Sequence, residues 1–191
     1  MPDRDVKTIR DQILFQYAKI IAKRAFSCAD GEAAKRGHYG FIKKTFLDLQ
    51  SGAMSWSDIL REDWQLVESD KQCIYCGATQ GLAREHIVPR TLRIKVDCST
   101  CDRIQGIHNQ VWACVSCNSA KGTRGLYEFY RSRPGAGAKF FDHLPVLLEK
   151  KYLKTMYCCH ECARTLDKGD IDGDGAISVI DIDFILSGRQ V

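Results

Sequence analysis

Cys73-Ile-Tyr-Cys76 opens the stretch around which the chain is organised. It is followed in order by Glu85-His86-Ile-Val-Pro89, His108-Asn109, Cys114-Val-Ser-Cys117-Asn118 and Lys121-Gly122. Two thiolates separated by two residues can reach one tetrahedral ion, so each Cys-x-x-Cys pair is typical of half a structural zinc site. We therefore predict a closed four-thiolate zinc site formed by Cys73, Cys76, Cys114 and Cys117. Such a site stabilises the fold and takes no part in chemistry.

Local patterns predict the elements that carry these residues. Gly81 to Val88 and Gln110 to Ala113 read as two short strands, and Asn118 to Arg131 suits a helix with an apolar side. Between the strands, Val96 to Gly106 forms an insertion with a further pair, Cys98-Ser-Thr-Cys101. Eight of the ten cysteines can be grouped as Cys-x-x-Cys pairs, which favours metal thiolates over disulfides.

Composition restricts the setting of the chain. No apolar run approaches the roughly 20 residues of a membrane span, and the N-terminal stretch is charged throughout instead of having a signal peptide's apolar centre. We therefore predict a cytoplasmic location without a membrane partner. The net charge is +4, but six aspartates against three basic residues give the segment from residue 163 a charge of −3. The remainder carries about +7, which fits a polyanionic partner.

The arrangement resembles the HNH endonuclease family, whose ββα-metal fold is a hairpin and a helix around one metal. Four cysteines alone would indicate only a zinc site. The resemblance covers residues 71–131 and depends on three additions: Glu85-His86-x-x-Pro89, Asn109 five residues before Cys114, and Cys117-Asn118-x-x-Lys121-Gly. It implies an α+β fold, a mainly helical chain around a small ββα-metal core stapled by zinc. It also implies hydrolysis of DNA phosphodiester bonds, leaving a 5′ phosphate and a 3′ hydroxyl.

The resemblance also implies roles for individual residues. His86 would be the general base, and a neutral imidazole suits that role near pH 7. Glu85 and Asn118 would hold Mg²⁺ or Mn²⁺, and Asn109 would hold the hairpin loop that orients the base. Lys121, Arg90 and Arg124 stand where phosphate contacts would help, although surface charges of this kind are usually only solvated.

The chain departs from the family pattern at two positions. Asn118 replaces the third-letter histidine of the family name, a common variant, and Glu85 stands where aspartate is frequent. Adjacent residues of a strand point to opposite faces. Glu85 and His86 can therefore share a site only if the strand ends or bends there, which Pro89 makes plausible.

Two further metal sites are predicted from spacing. A second zinc would be bound by Cys98, Cys101, Cys159 and Cys162, with Cys158 or His160 as a replacement for one ligand. Residues 170–181 match a calcium loop, with ligands at Asp170, Asp172, Asp174, the backbone of Ala176 and Asp181. Gly175 provides the turn of this loop, and an acidic turn without an ion is the alternative. The loop resembles one half of a dockerin repeat; full dockerins have two such loops and this chain has one.

These observations predict four segments: an N-terminal helical module at 1–70, the HNH core at 71–132, a helix and second zinc knuckle at 133–166, and the calcium loop and helix at 167–191. The N-terminal module would contain helices at 4–28 and 32–50 and a third through Leu66, and its role in core formation, DNA docking or dimerisation stays open. One base and one metal cut one strand, so double-strand cleavage requires a homodimer or two successive nicks. RNA also stays open as a substrate.

Two other function classes compete with the enzyme. The same fold could be a noncatalytic, zinc-stabilised module that binds nucleic acid, and such a module would tolerate the loss of His86. A third interpretation is an interaction protein in which the acidic calcium motif recruits a partner and the nuclease centre is vestigial.

Overall fold

The computed structural model describes residues 4–26, 32–56, 71–92, 102–137 and 144–186. Within these residues the helices are α1 (Ile9–Ala25), α2 (Glu32–Gln50), α3 (Val115–Lys121), α4 (Leu126–Arg131), α5 (Val146–Cys162) and α6 (Val179–Asp183). Short 3-10 helices occupy Asp102–Ile104, Ile107–Asn109 and Phe184–Leu186. Strands β1 (Leu82–His86) and β2 (Gln110–Cys114) form a two-stranded antiparallel sheet. This mixed, mainly helical architecture confirms the coarse fold prediction.

Helix α1 begins later than the sequence predicts because Thr8 caps it. The Thr8 hydroxyl accepts from the Asp11 amide at 3.1 Å, and the Asp11 carboxylate accepts from the Thr8 amide at 3.1 Å. This reciprocal capping box satisfies amides that have no partner inside the helix. Helix α2 has the predicted bounds, 32–50. Cys28 and the predicted third helix from residue 57 to Leu66 lie outside the described residues.

The first turn of α1 is bonded to the segment that follows α5. The Ile9 amide donates to the Lys168 carbonyl at 2.8 Å, and the Arg10 amide donates to the Leu166 carbonyl at 2.9 Å. The Arg10 guanidinium also donates to the Tyr157 hydroxyl at 2.7 Å. Buried side chains from all the described segments form one hydrophobic cluster. The N-terminal helices therefore share a core with the C-terminal part of the chain.

The hairpin and the helix after it contain the motif residues. The register of the hairpin places Glu85 opposite Val111 and His86 opposite Gln110. Helix α3 follows β2 directly and ends at Gly122, whose φ of 54° lies in the left-handed region that favours glycine. The single helix predicted for Asn118 to Arg131 is therefore wrong in one respect, because Gly122 divides it into α3 and α4.

Helix α4 is capped by side chains from elsewhere in the fold. Gly125 stands at the N-cap, where its missing side chain cannot cap the helix. Instead the Glu128 amide donates to the Asp183 carboxylate at 2.7 Å, and the Tyr152 hydroxyl donates to the other Asp183 oxygen. Burial raises the pKa of Asp183 to about 7, and these two donors oppose that rise. The C-terminal segment is thus part of the support of the hairpin and helix.

Replacing Gly125 by alanine should destabilise the protein. A Cβ at this position would overlap the Asp183 carboxylate, which is only 3% exposed and is held by two hydrogen bonds. Forcing a methyl group into a filled interior costs roughly 1–3 kcal/mol, which lowers the melting temperature of a chain this size by roughly 2–12 °C. Thermal unfolding followed by circular dichroism measures the change.

Gly40 provides the matched control for this substitution. It lies inside α2, and an added Cβ would meet no atom within 4 Å. Alanine at an exposed helical position is favoured over glycine by up to about 1 kcal/mol, so Gly40→Ala should raise the melting temperature. A Gly125→Ala protein that melts at or above the wild-type temperature would contradict the packing argument.

Candidate active site and metal centres

The four predicted zinc-binding cysteines lie together. One Sγ atom from each of Cys73, Cys76, Cys114 and Cys117 lies within 4.8 Å of all the others. The Cys76 and Cys114 sulfur atoms are 3.7 Å apart. Four thiolates at zinc–sulfur distances near 2.3 Å in a tetrahedron have sulfur atoms roughly 3.8 Å apart, so the donor set and its spacing fit zinc. The cluster could hold a metal ion such as zinc.

Local backbone geometry forms this cluster. In the first knuckle, the Gly77 amide donates to the Cys73 carbonyl at 2.8 Å, and Gly77 has a φ of 77°. In the second knuckle, Cys114 is the N-cap of α3 and its sulfur accepts from the Cys117 amide at 3.4 Å. The Ile74 amide donates to the Trp112 carbonyl at 2.9 Å, which attaches the first knuckle to β2. Two distant sequence pairs are thereby brought to one point.

Backbone amides also favour the thiolate form of Cys73. Burial opposes ionisation, but hydrogen bonds from the backbone at Cys114, Tyr75 and Cys76 outweigh it and lower the pKa of Cys73 to about 7. The thiolate is the form that binds metal. The backbone around Cys73 therefore favours its metal-binding form. Burial instead raises the pKa of Cys117, and at Cys76 a hydrogen bond from the Ala78 backbone is outweighed by the Cys73 and Cys114 thiols, which raise the pKa.

Asn109 holds the loop that follows His86. Its side-chain oxygen accepts from the Val88 amide at 2.8 Å, and its side-chain nitrogen donates to the carbonyls of Val88 at 2.7 Å and Ile104 at 2.8 Å. The Asn109 carbonyl also accepts from the Ile87 amide at 2.8 Å. Asn109 is 0% exposed, so its side chain is used for support inside the fold.

A second support of this loop comes from Lys151, which the sequence analysis missed. This α5 residue is 1% exposed, and its ammonium donates to the carbonyls of Ile107 at 3.0 Å and Gln110 at 2.9 Å. Its position three residues after the buried Leu148 places it on the apolar stripe of α5. The helical periodicity of the sequence therefore already indicated that Lys151 is buried.

Glu85 forms a buried ion pair with Lys121. Their side chains are 4% and 0% exposed, and Glu85 Oε1 lies 2.9 Å from Lys121 Nζ. Both Glu85 oxygens and the Tyr75 hydroxyl are buried, and the Tyr75 side chain lies beside the Glu85 carboxylate. Burial raises the pKa of Glu85, and the Lys121 charge partly opposes this rise. Lys121 therefore neutralises the carboxylate that was predicted to bind the catalytic cation.

The predicted phosphate contacts of Lys121 and Arg124 do not agree with this geometry. Lys121 is enclosed between the Glu85 carboxylate and the His86 carbonyl, the latter at 3.5 Å. Arg124 donates to the Lys121 carbonyl at 3.3 Å, to the Ala120 carbonyl and to the Ser132 hydroxyl at 2.7 Å, so it satisfies the free carbonyls at the end of α3. Arg90 is exposed, as the prediction requires.

His86 lies on the opposite face of β1 from Glu85. The strand continues through both residues, and its alternation sends Glu85 inward and leaves His86 half-buried at the surface. The His86 ring lies 3.4 Å from the Gln110 side-chain amide. Burial and the charges of Arg90 and Lys121 lower the pKa of His86, so the imidazole is neutral at pH 7 and can accept a proton.

Asn118 lies half-buried on α3, three residues before Lys121. Residues three apart on a helix are neighbours on one face. Asn118 therefore shares a face of α3 with the lysine that contacts Glu85. Lys121 therefore links the helix that carries Asn118 to the Glu85 carboxylate.

The acidic loop brings together three of its predicted calcium ligands. One carboxylate oxygen from each of Asp170, Asp172 and Asp174 lies within 4.8 Å of the others, and Gly175 has the left-handed φ of 92° that the predicted turn requires. Asp181 is used differently. Its carboxylate accepts from the Ile171 amide at 2.9 Å and from the Ser178 amide at 2.7 Å, and it is 0% exposed. The Asp181 carboxylate therefore caps α6 and bonds to the backbone of the acidic loop, and it is not one of the three clustered carboxylates.

The predicted second zinc site is only partly within the described residues. Cys98 and Cys101 lie outside them, whereas Cys159 is buried and Cys162 half-buried on α5. His160 was an alternative ligand, but Nδ1 lies 2.8 Å from the Thr165 hydroxyl and Nε2 lies 3.0 Å from the Ile182 carbonyl. Burial lowers the pKa of His160 to about 4. Both ring nitrogens are thus engaged, and the contact with Ile182 joins α5 to α6.

One residue group near His86 was not singled out in the sequence. Lys71 and Arg84 lie over the ring of Trp112, with Lys71 Nζ at 4.8 Å and Arg84 Cζ at 5.6 Å from the ring centroid. Side chains alternate along a strand, so Arg84 and Glu85 point to opposite faces. With the register known, this alternation would have predicted that Arg84 pairs with Trp112. Lys71 lies outside the hairpin, so the spacing along the strands gave no signal for it.

The fold and the cysteine cluster define a mixed α and β protein with a candidate metal centre beside a two-stranded hairpin. Among the helices of the described residues, none is long and apolar enough to cross a membrane. In comparisons with known proteins, no family model matches the chain, and no curated protein or solved structure matches it significantly.

Proposed function

We propose that this protein is a metal-dependent endonuclease that hydrolyses phosphodiester bonds in DNA. The observation that supports it most is the environment of His86. A neutral imidazole stands half-buried at the end of β1, followed by a loop that Asn109 fixes with three side-chain hydrogen bonds. A proton acceptor held on a rigid hairpin beside a four-cysteine cluster is the arrangement that the HNH resemblance predicts.

His86 acts as the general base in this proposal. A ring nitrogen of His86 takes a proton from water as the water oxygen forms a bond to phosphorus. The bond from phosphorus to the 3′ oxygen breaks, and that oxygen leaves to become a hydroxyl after protonation. Asn109 and Lys151 are positioning residues, because they fix the backbone on either side of the hairpin loop.

The proposed catalytic cation, Mg²⁺ or Mn²⁺, would be held by Glu85 and Asn118. The buried Glu85 carboxylate and the Asn118 side-chain amide supply oxygens of the kind that a hard cation binds. Because Glu85 and His86 lie on opposite faces of β1, a cation at Glu85 would reach the phosphate that His86 attacks only if β1 bends at His86, its last residue. It would then neutralise charge on the phosphate and the departing oxygen. Lys121 would have to move from the carboxylate to admit it, because two positive charges would otherwise face each other at short range.

A noncatalytic nucleic-acid-binding module is the second candidate function. The observation that favours it is the same ion pair. Lys121 already neutralises Glu85 inside the fold, and a neutralised carboxylate needs no metal for its own stability. In this alternative the hairpin is a binding surface and His86 is one of its polar residues.

Cleavage of supercoiled plasmid DNA tests the proposal. With Mg²⁺ or Mn²⁺ we expect nicked circles to appear first, because one base and one metal cut one strand, and linear DNA to follow only from a second event. EDTA should stop the reaction and fresh Mg²⁺ should restore it, with bound zinc measured before and after so that loss of the cysteine-bound ion is recognised. If the plasmid stays intact with both metals but its mobility shifts, the protein binds DNA without cleaving it, as the binding module would.

A further inference from the structure

The face of the hairpin that carries His86 also carries a cationic and aromatic surface. Cross-strand pairing places Arg84 opposite Trp112 and His86 opposite Gln110. Since side chains alternate along a strand, these four residues point away from the buried Glu85. We name them, together with Lys71, the outer face of the hairpin.

Trp112 holds the two cations of the outer face. Lys71 Nζ and Arg84 Cζ lie 4.8 and 5.6 Å from the centroid of its ring, within the range of cation–π contacts. Lys71 and Arg84 are exposed, and neither makes an ion pair with any residue that the structure describes. An aromatic ring orients a cation without offsetting its positive charge, whereas a neighbouring carboxylate offsets it.

We propose that the outer face binds the sugar-phosphate backbone of the DNA strand that reaches His86. Lys71 and Arg84 contact phosphates, and Trp112 orients them. Arg84 and His86 are two positions apart, about 7 Å along the strand, so one nucleic-acid strand can touch both. The hairpin residues of this face include no acidic side chain, and the exposed Arg90 lies close enough to act on the charge of His86. The surface is therefore complementary to a polyanion up to the candidate base.

That the bound strand is a substrate rests on the proposed function. The outer face could bind DNA whether or not the DNA is cleaved. It replaces the phosphate contacts predicted for Lys121 and Arg124, which the fold uses internally. Phosphate contacts position a nucleic acid without reading its sequence. The outer face therefore accounts for affinity and orientation and leaves sequence preference to other residues.

The test measures how salt weakens binding. A fluorescent DNA duplex is titrated by anisotropy at a series of KCl concentrations, in the His86→Ala background so that no cleavage interferes. Each phosphate contact contributes roughly 0.9 to the slope of log affinity against log salt. The double variant Lys71→Ala/Arg84→Ala should therefore lower that slope by roughly 1.8. The charge-conserving double variant Lys71→Arg/Arg84→Lys should retain most of it.

Lys43→Ala/Lys44→Ala is the matched control. It removes the same charge from α2, where Lys43 pairs with Asp5 at 3.0 Å and Lys44 with Asp48 at 2.8 Å. Its salt slope should stay at the parental value, and melting temperature and zinc content establish that every variant is folded. Equal slopes for the control and the Lys71→Ala/Arg84→Ala variant would overturn the outer face as the phosphate surface.

Cleavage by the otherwise wild-type chain separates this inference from the proposed function. If the plasmid is cut but the salt slope of the Lys71→Ala/Arg84→Ala variant is unchanged, the protein is a nuclease and the outer face is not its phosphate-binding surface. If the plasmid is never cut but the salt slope falls as expected, the outer face binds DNA and the proposed nuclease activity is rejected. A single-stranded RNA tested in parallel should bind more weakly than the duplex, and tighter RNA binding with the same loss of slope would overturn DNA as the partner.

Discussion

Replacing His86 by alanine should lower the rate of plasmid cleavage by about 10²–10⁴-fold, the usual contribution of a general base. Alanine removes the imidazole at the end of β1 but leaves the strand pairing to Gln110, which is made by the backbone. Binding of DNA should change little, because the proposed phosphate contacts belong to Lys71 and Arg84. The measurement is the initial rate of nicking with Mg²⁺, alongside the dissociation constant for the duplex.

His108→Ala is the matched control for this loss. His108 lies in the 3-10 helix Ile107–Asn109, two residues before the partner of His86 in the hairpin. It has the same side chain in the same loop region but no proposed part in the reaction, so its variant should cut at the wild-type rate. Cleavage by the His86→Ala protein within a few-fold of the wild-type rate would remove His86 from the role of base.

Replacing Cys114 by serine should abolish zinc binding and unfold the hairpin region. Structural zinc sites contribute an apparent 10–16 kcal/mol in small zinc-binding peptides, about as much as the whole stability of an ordinary domain. Cys114 is also the N-cap of α3, accepting from the Cys117 amide. Serine is among the best N-cap residues, so this substitution removes the thiolate while preserving the cap. Any loss of folding therefore reports on the metal.

Zinc content per chain and the thermal unfolding curve measure this effect. Cys158→Ser is the control, since Cys158 is a half-buried cysteine of α5 outside the four-cysteine cluster. That variant should keep the zinc and the melting temperature of the wild type. A Cys114→Ser protein with unchanged zinc content and unchanged melting would show that the cluster does not bind zinc.

Local signals in the sequence predicted most of what is local in the structure. The spacing of Cys73, Cys76, Cys114 and Cys117 predicted the cluster because each pair is set by one tight turn. The alternation and length of the two strands predicted the hairpin within two residues at each end. The Gly122 break was missed because a glycine inside an apolar period is compatible with a continuous helix until the backbone angle is known.

Contacts between distant segments explain the remaining differences. Lys121 was a plausible phosphate ligand until the fold placed it against Glu85, 36 positions earlier in the chain. Asp181 was predicted to be the last ligand of a calcium loop, but the same residue is the third of a helix that Ser178 caps. One Asp181 oxygen accepts from the Ser178 amide in the capping box and the other accepts from the Ile171 amide, so both oxygens are used inside the fold. A pattern read along the chain cannot weigh such competing partners.

The stretch that carries the motif is smaller than the unit that folds. Residues 71–131 contain both knuckles, the hairpin and the proposed base, yet three of their partly buried backbone groups are bonded by side chains from α5 and α6. Lys151 holds the carbonyls of Ile107 and Gln110, and Asp183 holds the Glu128 amide. Cut free of these partners, the stretch would leave those groups to water and lose its rigidity at the loop beside the base. The motif in this protein is not a portable unit, and its geometry depends on residues that no motif description would include.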